Sequence, residues 1–243
     1  MGVHMVKKND KINYNEKWSF KSKNIAKNFD IHVRQSVPLY DEIQRMVVEL
    51  SNYFLRDNDK VMDLGGSTAT TIENIIKNTK KKNIKFVLID ESQEMLDEAK
   101  LKLKKYDHNF EFVNSNLNYE FNPDDKYSVV ILLFTMQFIN VENRQELLRK
   151  IYHCLRKKGC LIMVEKIIGN SAVYNEMMID LYNDMKIRNG LDPRNNIIKS
   201  RSLRGIMVPM SLDENLIMLR NIGFVDNDIF FKWYNFAGFI SIK

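Results

Sequence analysis

Only two cysteines, Cys154 and Cys160, and four histidines occur in the 243 residues, and the cysteines do not form a CxxC pair. This scarcity excludes a disulfide scaffold and a Cys/His zinc site, predicts no metal centre, and implies a reducing, cytoplasmic setting. No apolar run approaches the roughly 20 residues that a membrane span needs, and the N-terminus lacks the apolar core of a signal peptide. Charge of one sign is also in short supply. The net charge is +6, from 37 Lys and Arg against 31 Asp and Glu, too small and scattered to coat a nucleic acid. Lys80-Lys81-Lys82, Lys104-Lys105 and Lys157-Lys158 fall at expected helix ends or turns, where they complement helix dipoles and solvate the surface. Direct nucleic-acid binding is therefore disfavoured, and a small-molecule substrate is expected. No Pro/Gly/Ser-rich linker, repeat or low-complexity block divides the chain.

What is present is an ordinary balance, 44% hydrophobic and 28% charged, enough for one domain. Residues 1–18 are Lys-, Asn- and Asp-rich and are expected to form a flexible tail, leaving 19–243 as a single domain. Ile43, Met46, Val47, Leu50, Tyr53 and Phe54 recur at helical spacing between Tyr40 and Arg56. Val61–Leu64 reads as a short buried strand that stops at Gly65-Gly66-Ser67, and Thr70 with Glu73 resembles a capping box for the next helix. The pattern repeats. Lys85–Ile89 is a strand ending at Asp90, followed by a helix with Met95, Leu96, Ala99 and Leu103 inward, and Phe110–Val113 is the third strand. Ser128–Phe134 is a continuous apolar run, as expected of a parallel strand covered on both faces and central in its sheet.

A helix holding Leu147, Leu148, Ile151 and Leu155 follows, then a Lys157-Lys158-Gly159 turn and a strand Cys160–Val164. Tyr174–Gly190 is predicted helical, with Met177, Met178, Leu181 and Met185 as a stripe of adaptable core, and Ser211 with Glu214 resembles a second capping box. Ile229–Trp233 and Phe236–Ile242 read as a terminal hairpin. The predicted fold is α/β, a Rossmann-like doubly wound, mostly parallel sheet with a C-terminal antiparallel hairpin and a helical lid. Residues 19–56 supply the lid and first helix, and 174–220 a helical substrate cap.

In an open α/β sheet the ligand sits outside the carboxyl ends of the strands, where a small-residue turn lets backbone approach it. Gly65, Gly66 and Ser67 occupy that turn, and Asp90 follows strand two at about the spacing at which an acid accepts from ribose hydroxyls. Asp63-Leu64-Gly65-Gly66-Ser67-Thr68-Ala69 resembles the DxGxGxG signature of class I S-adenosylmethionine-dependent methyltransferases. That resemblance implies S-adenosyl-L-methionine as cofactor, with Gly65 to Ser67 on its methionine part, Asp90 on the ribose, and Asn116 with Leu117 at the adenine.

Phe29-Asp30 with Val33-Arg34-Gln35-Ser36-Val37-Pro38-Leu39-Tyr40 is similar to the lid of the carboxy-S-adenosylmethionine synthase family and its small-molecule methyltransferase relatives. Phe134-Thr135-Met136-Gln137-Phe138 resembles that family's strand-four motif, Arg201-Ser202 its carboxylate-gripping pair, and Trp233-Tyr234-Asn235-Phe236 its C-terminal segment. The implied cofactor-binding set is Tyr40, Asp63, Gly65, Gly66, Ser67, Asp90, Glu91, Met95, Asn116, Leu117 and Leu133. The candidate catalytic set is Arg201, Arg34 and Tyr40, on the resemblance, with His32 added for its place within the lid segment. The two arginines would hold a carboxylate bidentately, Tyr40 would close with the lid, and His32 is a candidate general base.

Four positions depart from the synthase pattern: Leu133 and Glu91 stand where asparagines are expected, Asn116 where an acid is expected, and Ala69 where a third glycine is expected. On these departures the sequence ranks methyl transfer to a small carboxylate-bearing molecule first. The alternative is carboxy-S-adenosylmethionine synthesis from prephenate, for wobble-uridine modification of transfer RNA. A homodimer is compatible with the sequence, which does not choose an oligomeric state.

Overall fold

The computed structural model describes residue 12 and residues 19–243. Apart from Ile12, the expected tail 1–18 lies outside the described residues. Two helices open the described fold, α1 (Lys23–Ser36) and α2 (Tyr40–Phe54), and a strand–helix alternation follows. It runs β1 (Lys60–Leu64), α3 (Thr70–Asn78), β2 (Lys85–Asp90), α4 (Gln93–Leu103), β3 (Asn109–Asn114), β4 (Tyr127–Leu133), α5 (Val141–Cys154) and β5 (Leu155–Ile168). The chain continues with α6 (Ala172–Arg188), α7 (Pro193–Ser202), a short β6 (Met210–Ser211), α8 (Leu212–Ile222), β7 (Asp226–Trp233) and β8 (Phe236–Ile242).

The sheet order is β3-β2-β1-β4-β5-β8-β7, with β1 to β5 parallel and β8 antiparallel to both β5 and β7; β6 pairs with β5 off this path. β4 stands at the centre, as its unbroken apolar run predicts. The reason is visible in the packing. Val129 and Ile131 join the core under α1 to α4, while Val130 and Leu132 join the core under α5 and α8, so both faces of Val129–Leu132 are buried. The chain leaves β1 outward through β2 and β3 and returns to β4 on the other side. That crossover opens a crevice between the carboxyl ends of β1 and β4.

The second expected capping box is present: the Ser211 hydroxyl accepts the Glu214 N–H at 3.2 Å, and the Glu214 carboxylate accepts the Ser211 N–H at 2.7 Å. The first is not. Ala69, left-handed at φ 61°, is the N-cap of α3 and makes no side-chain cap bond. The Thr70 hydroxyl is drawn instead to Asp30 of α1, and Glu73 takes Lys77, Lys105 and the Tyr106 hydroxyl.

Two boundaries also move. Leu155 begins β5 rather than ending α5, and Lys157-Lys158-Gly159 is an irregularity within β5, with Lys158 at φ 62° and a register shift against β4. The methionine stripe of α6 is not core: only Met185 is buried, and Met177 is 44% exposed. α6 stands over the sheet's end, not on its face, so its apolar residues cover a cavity on one side and meet solvent on the other. Helix α7 and the full extent of α1 were not anticipated from the sequence. Among the described residues no helix is long and apolar enough to cross a membrane.

Ser211→Ala removes one half of the capping box far from the crevice. It is expected to cost about 1 kcal/mol in urea denaturation while leaving affinity for S-adenosylhomocysteine unchanged in calorimetry.

Candidate active site

The turn after β1 is shaped by close approach. Gly65 has φ +70°, and a Cβ there would lie 2.3 Å from Thr135 Oγ1; a Cβ on Gly66 would lie 2.8 Å from Leu88 Cγ and 2.9 Å from Asp63 Cγ. Only glycine fits either position. The Gly65 and Gly66 N–H groups both donate to Ile89 O, at 2.8 and 3.3 Å, which pins the turn to the end of β2. Asp90 completes the clasp, its Oδ2 accepting the Ser67 N–H at 3.0 Å and its Oδ1 the Ser92 N–H at 2.9 Å.

Asp63, at the end of β1, is buried, and its Oδ2 has no partner among the described residues. Burial, with the nearby Asp90 carboxylate, pushes the Asp63 carboxyl up to about 7. Burial likewise raises Asp90 to about 6 against the two N–H bonds that favour its charge. Two acids held above their usual range, one with an unused oxygen, fit a cationic and hydroxyl-bearing ligand.

The opposite wall is the segment after β4. Phe134 sits at φ 57°, and its N–H donates to Val164 O at 2.6 Å. Glu165, buried on β5, then accepts the N–H groups of Thr135, Met136 and Gln137 at 3.0, 2.8 and 3.0 Å. A carboxylate inside an otherwise apolar strand was the available signal for this anchor, and it was missed. Behind it, buried Arg144 donates to Ile139 O and Val208 O at 2.9 and 2.6 Å.

A cavity of about 580 Å³ lies between these walls. All of the expected cofactor-binding residues line it: Tyr40, Asp63, Gly65, Gly66, Ser67, Asp90, Glu91, Met95, Asn116, Leu117 and Leu133. The Met95 sulfur accepts the Ser67 hydroxyl at 3.2 Å, and the Asn116 amide donates to Glu91 at 3.0 Å. Tyr40 is buried, with its hydroxyl accepting from Gln44 at 3.2 Å, and burial raises its pKa. Ala69 occupies the third small position in the left-handed region, where the resemblance leads one to expect glycine.

The expected catalytic residues divide. His32 of α1 is buried, lines the cavity and contacts the Lys199 ammonium of α7. Arg34 and Arg201 are not in the cavity wall. The Arg34 guanidinium donates to Asp41 at 2.9 Å and to Asp30 O at 3.0 Å, and lies 5.7 Å from the Tyr40 ring centroid. Arg201 is exposed on the last turn of α7, while its neighbours Lys199, Ser200 and Arg204 face the cavity. Of the expected cap, α6 and α7 contribute to the cavity, whereas α8 packs on α5. Sequence reading did not single out Lys166, Tyr182, Lys186, Lys199 or Arg204, all of which line the cavity. Among the described residues no cluster of His, Cys, Asp and Glu could hold a metal ion.

A doubly wound sheet with a glycine turn, a strand-two acid and a lidded crevice at its β1–β4 crossover defines the class I methyltransferase type. Comparison with known proteins agrees. A methyltransferase domain family matches residues 61–159. The chain is 36% identical, over 96% of its own length and 100% of the relative's, to the carboxy-S-adenosyl-L-methionine synthase of Staphylococcus epidermidis. It is 35% identical, over 90% of its length and 92% of the relative's, to the protein of that name from Nautilia profundicola. Among solved structures, an S-adenosylmethionine-dependent methyltransferase from Aquifex aeolicus superposes with a TM-score of 0.59 at 15% identity, covering 91% of this chain and 98% of that one. An O-methyltransferase family protein from Burkholderia thailandensis superposes with a TM-score of 0.63 at 15% identity, over 91% of this chain and 60% of that one. The chain belongs to the carboxy-S-adenosyl-L-methionine synthase family, and is an enzyme dependent on S-adenosyl-L-methionine.

The raised Asp63 carboxyl has a consequence for stability. Its ordinary value is 3.8 and its folded value about 7, so the folded chain holds this proton more tightly than the unfolded chain does. The resulting stabilisation is full below the unfolded value and is lost as pH rises through the folded one. Without ligand, the denaturation free energy of the protein is therefore expected to fall relative to Asp63→Asn between about pH 4 and pH 7. Parallel urea-denaturation profiles for the two proteins would show that no such proton is held.

Proposed function

We propose that the enzyme uses S-adenosyl-L-methionine together with a small carboxylate-bearing molecule, both held in this one cavity. The observation that carries the reading is the division of charge along the wall. Asp63, Asp90 and Glu91 lie at the ends of β1 and β2, whereas Lys166 near the end of β5 joins Lys186 of α6, Lys199 of α7 and Arg204 on another part of the wall. A sulfonium, an ammonium and ribose hydroxyls suit the acidic end, and an anionic co-substrate suits the basic end.

When bound, the cofactor supplies an activated one-carbon group at its sulfonium, so the protein's task is alignment and exclusion of water. Asp90 keeps free lone pairs for ribose hydroxyls beside the two N–H groups it already accepts. Gly65, Gly66 and Ser67 would let backbone approach the methionine part, and Asn116 and Leu117 would hold the adenine. Met95 and Leu133 pack the apolar wall, while Tyr40 and His32 close from the lid side. Arg34 and Arg201 stand outside the wall, so the grip on the carboxylate passes to the cations that line it.

The family favours carboxyl transfer, in which S-adenosyl-L-methionine and prephenate give carboxy-S-adenosyl-L-methionine, phenylpyruvate and water. The product would serve wobble-uridine modification of transfer RNA, as the resemblance implies. A second reading, methyl transfer to a carboxylate-bearing acceptor, is favoured by Leu133, an apolar side chain in the wall where the synthase pattern has asparagine.

Incubation with S-adenosyl-L-methionine and prephenate is expected to yield phenylpyruvate and a carboxy-S-adenosyl-L-methionine mass. Prephenate left intact, with S-adenosylhomocysteine accumulating in the presence of another small carboxylate, would transfer the assignment to the second reading. Arg201→Ala is expected to keep kcat/KM within about threefold on the substrate so identified, since removing an exposed group outside the wall leaves transition-state contacts intact. A loss of about a hundredfold would return the carboxylate to Arg201.

A further inference from the structure

At the cap end of the cavity two lysines converge on one tyrosine. Lys166, near the end of β5, places its Nζ 5.0 Å from the centroid of the Tyr182 ring, and Lys186 of α6 places its Nζ 4.3 Å from the same centroid. Both side chains are half-buried, and both line the cavity with Tyr182. The ring is fixed in turn. Its hydroxyl donates to Ser36 O of α1 at 2.8 Å, and the ring packs edge-to-face with Phe236 of β8, centroids 5.3 Å apart.

Among the described residues no carboxylate forms an ion pair with either lysine, and for Lys186 the like charge of Lys166 adds to the effect of burial. Burial lowers both amines, Lys186 to about 8. Two other partly buried cations do have such partners: Lys102 pairs with Asp30 at 2.6 Å and Arg156 with Asp59 at 3.3 Å. Two like charges beside one aromatic ring, half out of water and facing an open cavity, are an unfavourable arrangement unless an anion enters. Cation–π contact with Tyr182 offsets part of that cost and holds both ammonium groups in place.

We propose that Lys166 and Lys186, held over Tyr182, form the seat for the carboxylate of the co-substrate. The proposal rests on the reading of a carboxylate-bearing co-substrate and assigns it to residues of β5 and α6. The seat is a positioning device: two point charges on flexible stems accept a carboxylate without the fixed fork of an arginine. The Lys166 N–H donates to Gln137 Oε1 at 3.0 Å, and Gln137 belongs to the turn whose amides Glu165 accepts. The seat is thereby tied in backbone to the wall that follows β4.

The test uses malonate, a minimal dicarboxylate, titrated into the protein saturated with S-adenosylhomocysteine, with sodium chloride at matched ionic strength as control. Saturable malonate binding is expected for the natural protein. Lys166→Met and Lys186→Met are each expected to weaken it at least tenfold, while Lys186→Arg keeps it within about threefold. Affinity for S-adenosylhomocysteine is expected to stay within about threefold in all variants, and the ligand-free unfolding midpoint to hold or rise, because an unpaired half-buried cation has been removed.

Absence of saturable malonate binding in the natural protein, or undiminished binding in both Met variants, would overturn the seat. So would a parallel tenfold loss of S-adenosylhomocysteine affinity, which would assign the pair to the cofactor's own carboxylate. Should a Met variant fail to fold, the corresponding Lys→Gln variant carries the same expectations. Failure of prephenate turnover alongside intact, lysine-dependent malonate binding would sink the carboxyl-transfer reading and leave the seat standing.

Discussion

The contact on which this structure depends is the approach of the Gly65 backbone to Thr135, so close that a methyl group at Gly65 would fall 2.3 Å from the threonine hydroxyl oxygen. That hydroxyl donates to Leu64 O at 3.0 Å, which joins the end of β1 directly to the turn leaving β4. The next amides of the same turn go to Glu165 on β5, so three neighbouring strand ends are locked by hydrogen bonds in which backbone takes part. A crevice at a topological switch point exists in any such sheet; here its floor is held rigid enough to place ligand-facing groups. The clasp of Asp90 on the Ser67 N–H extends the same rigidity to β2.

How legible this was follows from where each signal resides. The central strands could be read because both faces of β4 are buried, which leaves a run that is apolar without alternation. The Ser211–Glu214 box could be read because every atom of it lies within one turn of helix. The Thr70–Glu73 pattern has the same letters and a different outcome, because Asp30 arrives from α1 and takes the threonine hydroxyl. Local pattern lost there to a tertiary partner. The methionines of α6 show a further limit: periodicity reports that one stripe is apolar, but not whether that stripe meets a core, a cavity or solvent.

The site was legible to the same unequal degree. Most of the residues expected to bind the cofactor sit on strand ends and tight turns, whose direction the fold dictates, and they line the cavity. The arginines sit on helices, where a shift of one residue turns a side chain through about 100°. On α7 that difference separates Arg201, which is outside the cavity wall, from Lys199 and Ser200, which line it. Lys166 and Lys186 were invisible because each is an ordinary lysine in its own element. Only folding brings β5 and α6 to the same ring.

The lid helix α1 connects the two ends of the cavity. On one side Asp30 accepts the Thr68 and Thr70 hydroxyls at 2.6 and 3.1 Å and pairs with Lys102 at 2.6 Å, which fastens α1 to the glycine turn and α4. On the other, Ser36 O accepts the Tyr182 hydroxyl, and Gln35 and Asn189 exchange amide hydrogen bonds at 3.3 and 3.1 Å, which fasten α1 to α6. His32 lies between these fastenings and faces the cavity. One helix thus touches the elements that present acids to the cofactor end and the elements that present lysines to the cap end. A single helix therefore fixes the spacing between the glycine turn with α4 on one side of the cavity and α6 on the other.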